Sequence, residues 1–103
     1  MPDGPVELHL RIRVKPGGAA ALRAFLVEAM PFYTAPGGIS IDLLQDQADP
    51  ERFIERVRYV DTPTFEADQQ RVESDPTMKG YLARWRALFA EPPVVEIYRP
   101  IGE

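Results

Sequence analysis

Val6-Glu7-Leu8-His9-Leu10-Arg11-Ile12-Arg13-Val14 alternates apolar and polar side chains without a break. A repeat of two belongs to an extended chain, whose successive side chains point to opposite faces. The stretch therefore predicts a strand with Val6, Leu8, Leu10, Ile12 and Val14 on a dry face. Glu7, His9, Arg11 and Arg13 fall on the other face, which is either wet or laid against a second polar surface. Lys15-Pro16-Gly17-Gly18 then ends the alternation in a turn.

Working outward, the period changes. Across residues 19–30, Leu22, Phe25, Leu26 and Ala29 fall on one helical stripe. Pro31 is expected to stop that helix, leaving 32–38 as a connector in which Gly37 and Gly38 allow a positive-φ turn. Ile39, Ile41 and Leu43 alternate again, predicting a second strand over 39–45, and the polar run 46–51 with Pro50 reads as a hairpin loop. A third strand over 52–60 places Phe53, Glu55, Val57 and Tyr59 on one face. Arg52, Ile54, Arg56, Arg58 and Val60 share the other, so these two faces are the least cleanly separated of the set. Thr62-Pro63 reads as an N-cap followed by proline in the first turn, and Asp75-Pro76 repeats the signal, predicting two helices in tandem. The second carries Met78, Tyr81, Leu82, Trp85, Leu88 and Phe89 on its apolar stripe. Pro92-Pro93 ends it, and 94–99 reads as a last strand.

Strand, helix, strand, strand, helix pair, strand is the order of a split βαβ, ferredoxin-like α+β domain: a four-stranded antiparallel sheet with helices on one face. One domain is expected over 1–103, with its core in 6–99, because 103 residues support one hydrophobic core. Apolar residues at 45% and charged residues at 27% fit a globular chain and exclude a disordered one. A net charge of −4 argues against nucleic acid as a partner. No apolar run approaches the roughly 20 residues that cross a bilayer, and the start lacks a signal-peptide pattern, so no membrane partner and a cytoplasmic location are expected. The absence of cysteine and the single histidine, His9, exclude disulfides, thiolate chemistry and multi-histidine metal or haem sites within one chain.

The sheet face away from the helices mixes Leu44, Ile54 and Val60 with arginines, too apolar to be indifferent to association and too charged for a plain core. A homodimer through this open face is expected, with Arg11, Arg13, Arg56 and Arg58 answered by Glu7, Asp42, Asp46 and Glu96. The alternative is a solvated sheet with cross-strand ion pairs.

Several segments together resemble the antibiotic biosynthesis monooxygenase family of the dimeric α+β barrel superfamily. They are Val14-Lys15-Pro16-Gly17, Pro36-Gly37-Gly38-Ile39-Ser40, Asp49-Pro50 with Arg52-Phe53, Tyr59-Val60-Asp61 leading to Phe65-Glu66-Ala67, and Tyr81-Leu82 through Glu91-Pro92. The resemblance runs from about Val6 to Tyr98. It implies homodimers whose sheets face each other, with a pocket in each subunit between sheet and helices. It further implies oxidation of a small aromatic, phenolic compound by dioxygen without a metal or flavin cofactor. Many members hold an aromatic residue where this chain has Tyr59 and a histidine where it has Asp68. The histidine is absent here, and the Asn, Trp and His set of the haem-degrading branch is not reproduced, which argues against haem chemistry. Two other functions remain open: an acid/base isomerase or cyclase on a polyketide-like ligand, and a ligand-binding or structural homodimer without turnover.

Such an oxygenation needs a base, a donor beside the developing oxyanion and an apolar aromatic wall. Glu55, among Phe53, Val57 and Tyr59, is the candidate base, since desolvation raises a carboxyl's pKa; the alternative is a Glu bonded to Tyr or Arg at the core edge. Asp68 is the candidate proton relay, although a carboxylate on a short surface helix is ordinarily solvated. Tyr59 completes the catalytic set. Tyr33, Phe65, Tyr81 and Trp85 are candidate ligand-binding residues, with plain core packing as the alternative for each. Arg84 or Arg86 could steer an anionic ligand, or simply face water. A cavity of roughly 300 Å³ or more with convergent polar groups would favour ligand chemistry.

Overall fold

A computed structural model describes residues 3–101. In chain order the elements are β1 (Val6–Arg13), α1 (Ala19–Thr34), β2 (Ile39–Gln45), β3 (Arg52–Tyr59), α2 (Thr62–Ser74), α3 (Pro76–Arg86) and β4 (Val94–Tyr98). The strands form one antiparallel sheet in the order β2-β3-β1-β4. This is the ferredoxin-like α+β arrangement, with β2 and β3 joined as a hairpin.

Register decides which side chains meet the helices. Val6 lies opposite Tyr59, Leu8 opposite Val57, Leu10 opposite Glu55 and Ile12 opposite Phe53, so the apolar series of β1 and the Glu55 series of β3 share one face. A one-residue slip would turn both series to solvent. Val14 and Leu22 are completely buried with Ile12, Phe25, Leu26, Phe53, Met78, Trp85 and Phe89 packed around them, and Val6, equally buried, packs with Leu8, Val57 and Tyr59 in a second cluster. Each aliphatic side chain so buried contributes about 1.5–3 kcal/mol. The faces of β3 are cleanly separated after all, its odd-numbered residues being buried and its even-numbered ones not.

Local chemistry shifts some boundaries. Pro31 does not stop α1, which continues to Thr34 with the proline inside its last turn. The bond a proline cannot make leaves the Val27 carbonyl free; Val27 is 77% exposed, so water can serve that carbonyl. The extra turn carries Tyr33 into the core. Gly37 and Gly38 then adopt φ of 84° and 74°, and a Cβ on Gly38 would come within 2.8 Å of Val60 Cγ2. The N-cap of α2 is Asp61 rather than Thr62, its carboxylate accepting from the Thr64 amide at 2.8 Å. Asp75 caps α3 as expected, accepting from the Thr77 and Met78 amides. Leu88 and Phe89 lie beyond α3, and Phe89 forms a bridge with Val14. β3 and β4 end one residue earlier than their patterns predict.

On the open face the charges are paired within the chain. Arg11 meets Glu96 at 3.0 Å, Arg56 and Arg58 share Asp42 at 2.9 and 2.8 Å, and Arg13 meets Asp49 at 2.9 Å. Glu7 is taken by His9, and Asp46 accepts from the Ala48 amide. Among the described residues no helix is long and apolar enough to cross a membrane, and no cluster of metal-ligating side chains occurs.

Candidate active site

β3 delivers Glu55 and Tyr59 to the covered face, α1 delivers Tyr33 from its last turn, α2 delivers Asp68, and α3 delivers Trp85. These side chains meet around one cavity of about 190 Å³, whose walls also include Leu10, Ile41, Val57, Val72, Met78 and Leu82. The volume falls short of the roughly 300 Å³ that would favour ligand chemistry. Val95, 57% exposed on the helix side of β4, marks its open rim. A larger hollow of about 820 Å³ lies open between α1 and the edge of β2, but neither a carboxylate nor a tyrosine lines it. The convergent polar groups place the candidate site in the smaller cavity.

Glu55 is 3% exposed, and its one hydrogen bond is to Trp85, whose Nε1–H donates to Oε1 at 2.9 Å. It is not bonded to Tyr or Arg. Burial disfavours its charged form and pushes its pKa up to about 7, while the Trp85 bond opposes the shift. A carboxyl poised there can both take and return a proton near neutral pH.

Asp68 is not solvated. It is nearly buried, accepting the Tyr59 hydroxyl at 2.6 Å on Oδ2 and two Arg71 nitrogens on Oδ1, Nη2 at 3.0 Å and Nε at 3.2 Å. Burial first, and then the hydrogen bond to Asp68, raise the Tyr59 pKa far above that of a free phenol, so the hydroxyl stays protonated as a donor. Tyr33 is likewise raised, chiefly by burial. Its hydroxyl is buried without a partner. An unsatisfied group of this kind costs about 1–3 kcal/mol.

Phe65 and Tyr81 stand one layer back. Phe65 packs edge-on against Tyr59 at 5.3 Å, and Tyr81 packs against Phe32, Tyr33 and Phe25. Arg86 lines the cavity, whereas Arg84 is held by Glu28 in a two-pronged pair at 2.8 Å on each arm. Arg71 was not singled out by the sequence reading, although Asp68 and Arg71 at a spacing of three on one helix carry a readable ion-pair signal.

This fold, a four-stranded antiparallel sheet with three helices and a carboxyl-lined cavity between the layers, defines a class of small ferredoxin-like α+β proteins. The antibiotic biosynthesis monooxygenase family model matches residues 5–75, and the chain belongs to that family. Among solved structures, it is similar to Rv0793 from Mycobacterium tuberculosis, with 25% identity and a TM-score of 0.75 over 97% of this chain and 98% of that one. It also resembles a variant of SnoaB, described as a cofactor-independent oxygenase from Streptomyces nogalater, with 15% identity and a TM-score of 0.79 over 96% and 95% of the two chains. A conserved protein from Methanosarcina mazei Go1 shares 16% identity and a TM-score of 0.76 over 92% and 91%. No curated protein matches the chain.

Proposed function

We propose that the chain is a cofactor-independent monooxygenase that oxidises a small phenolic compound with dioxygen in the cavity beneath its helices. The observation that carries this reading is that Glu55, a carboxyl buried with no cation beside it, and Tyr33, whose hydroxyl is buried without a partner, line one apolar cavity. Glu55 takes the proton from the phenol, or from the ring CH2 of its keto form, and Tyr33 donates to the oxyanion that develops. The electron-rich carbon then forms a C–O bond with dioxygen. Cleavage of the O–O bond releases one water and leaves C=O where CH2 stood, so both oxygen atoms and all electrons are accounted for. Trp85 forms wall and holds Glu55, and Tyr59 with Asp68 forms a second polar pair that can pass a proton toward α2. Phe65 and Tyr81 support the ligand-facing tyrosines from behind.

A homodimer through the open face belongs to the same reading. Its support is exposed apolar surface at Leu44, Val60, Val94 and Tyr98, together with Arg56 Nε, which is buried without a partner. Sedimentation at micromolar concentration should give twice the 11.6 kDa chain mass, and a stable 11.6 kDa species would remove the dimer.

Dioxygen uptake with anthrone-type compounds tests the reaction. Uptake matched by quinone formation is expected, with kcat falling about 100-fold or more in Glu55→Gln. Turnover without uptake would replace this reading by isomerisation or cyclisation through Glu55 alone. Binding without product would leave a ligand-binding homodimer, which the complete pairing of Asp68 within the chain also permits.

A further inference from the structure

We propose that Arg71, which does not line the cavity, is the positioning residue that fixes the Tyr59 hydroxyl through Asp68 and anchors the end of α1 that carries Tyr33. The guanidinium makes two sets of bonds. Toward α2 it grips Asp68 Oδ1 through Nε and Nη2, leaving Oδ2 for the Tyr59 hydroxyl at 2.6 Å. Toward α1, Nη1 donates to the Phe32 carbonyl at 3.0 Å and Nη2 to the Tyr33 carbonyl at 2.9 Å.

Those two carbonyls lie in the last turn of α1, where intrahelical partners run out and the Phe32 carbonyl has only a long bond from the Ala35 amide at 3.4 Å, and α1 has no basic residue in its own last turn. Arg71 supplies from α2 the cation that this negative helix end lacks, and it lies over the Phe32 ring at 4.8 Å. Tyr33 and Tyr59 come from different elements. Their common tether is a planar fork whose donors reach a carboxylate on one side and a helix end on the other, a geometry a lysine cannot copy. The consequence for catalysis rests on the oxygenase reading above, but the tether itself does not.

Proton NMR of the full chain without ligand tests it. The Tyr59 hydroxyl proton, held by a carboxylate and shielded from water, should give a slowly exchanging downfield resonance, identified by its loss in Tyr59→Phe. In Arg71→Met that resonance should disappear into exchange, and the Tyr33 ring signals should shift. Arg71→Lys should regain thermal stability relative to Arg71→Met without regaining the hydroxyl signal; if Arg71→Met does not fold, Arg71→Lys alone carries the test. An unchanged Tyr59 hydroxyl signal in the folded variants would overturn the assignment. Loss of the signal in a chain that oxidises no phenol would remove the oxygenase reading and leave the tether standing, whereas an unchanged signal with oxidation intact would do the reverse.

Discussion

The two faces of β3 handle charge in opposite ways. Outward, Arg56 and Arg58 converge on Asp42, all three within reach of water. Inward, Glu55 is buried among apolar neighbours with a single neutral donor, the Trp85 indole. Where solvent is near, an ion pair is formed and gains little, because water already screened both charges. Where solvent is excluded and no cation is in place, the group changes its protonation instead. The same strand thus carries inert charge on one side and a titrating acid on the other.

Substitutions that separate the faces should differ most at positions 53 and 54. Phe53→Ala removes a buried ring and should cost about 3–5 kcal/mol in denaturant unfolding. Ile54→Ala, on the open face, should leave chain stability nearly unchanged and instead weaken self-association in sedimentation; equal costs at the two sites would erase the distinction.

Next in size is the acid itself. Below about pH 4.5 Glu55 is neutral in folded and unfolded chains alike. As pH rises toward 7 the unfolded chain ionises first, so stability falls across that window and levels off above it. Glu55→Gln keeps an acceptor for Trp85 and cannot ionise. It should therefore be more stable than the parent at pH 8, by up to ~3 kcal/mol, and should lack this fall. A variant less stable than the parent at pH 8 would show that the carboxylate is well solvated or paired.

Trp85→Phe should act more modestly, losing a bond of about 1 kcal/mol and moving the Glu55 pKa further up, since the indole bond lowers it. The pH profile of unfolding would register that as a falling limb that starts at the same pH and runs on to higher pH. The smallest effect belongs to Asp42→Asn, a slight loss of stability at low salt that disappears at high salt.

The sheet was legible because its pattern is local: β1 alternates without interruption, and the β2–β3 hairpin is bounded by polar residues and Pro50. Glu55 was legible for the same reason, as the one charged member of an apolar series. Pro31 misled because a proline in a last turn forgoes one intrahelical bond without ending the helix. Asp61 was passed over for Thr62 since both can cap, and only the chain direction entering α2 decides between them. Asp68 looked solvated because its burial depends on Tyr59 arriving from β3, distant in sequence. The tether through Arg71 joins residues 32–33, 59 and 68, and no window of sequence contains it.

The claim on which the site rests is that the covered face is dry enough to hold an unpaired acid beside a ligand cavity. Carbon-13 NMR of the Glu55 carboxyl, followed from pH 3 to 9 with Glu55→Gln as the assignment control, measures this directly. A midpoint near 7 is predicted. A midpoint near the 4.5 of an ordinary glutamate would contradict it.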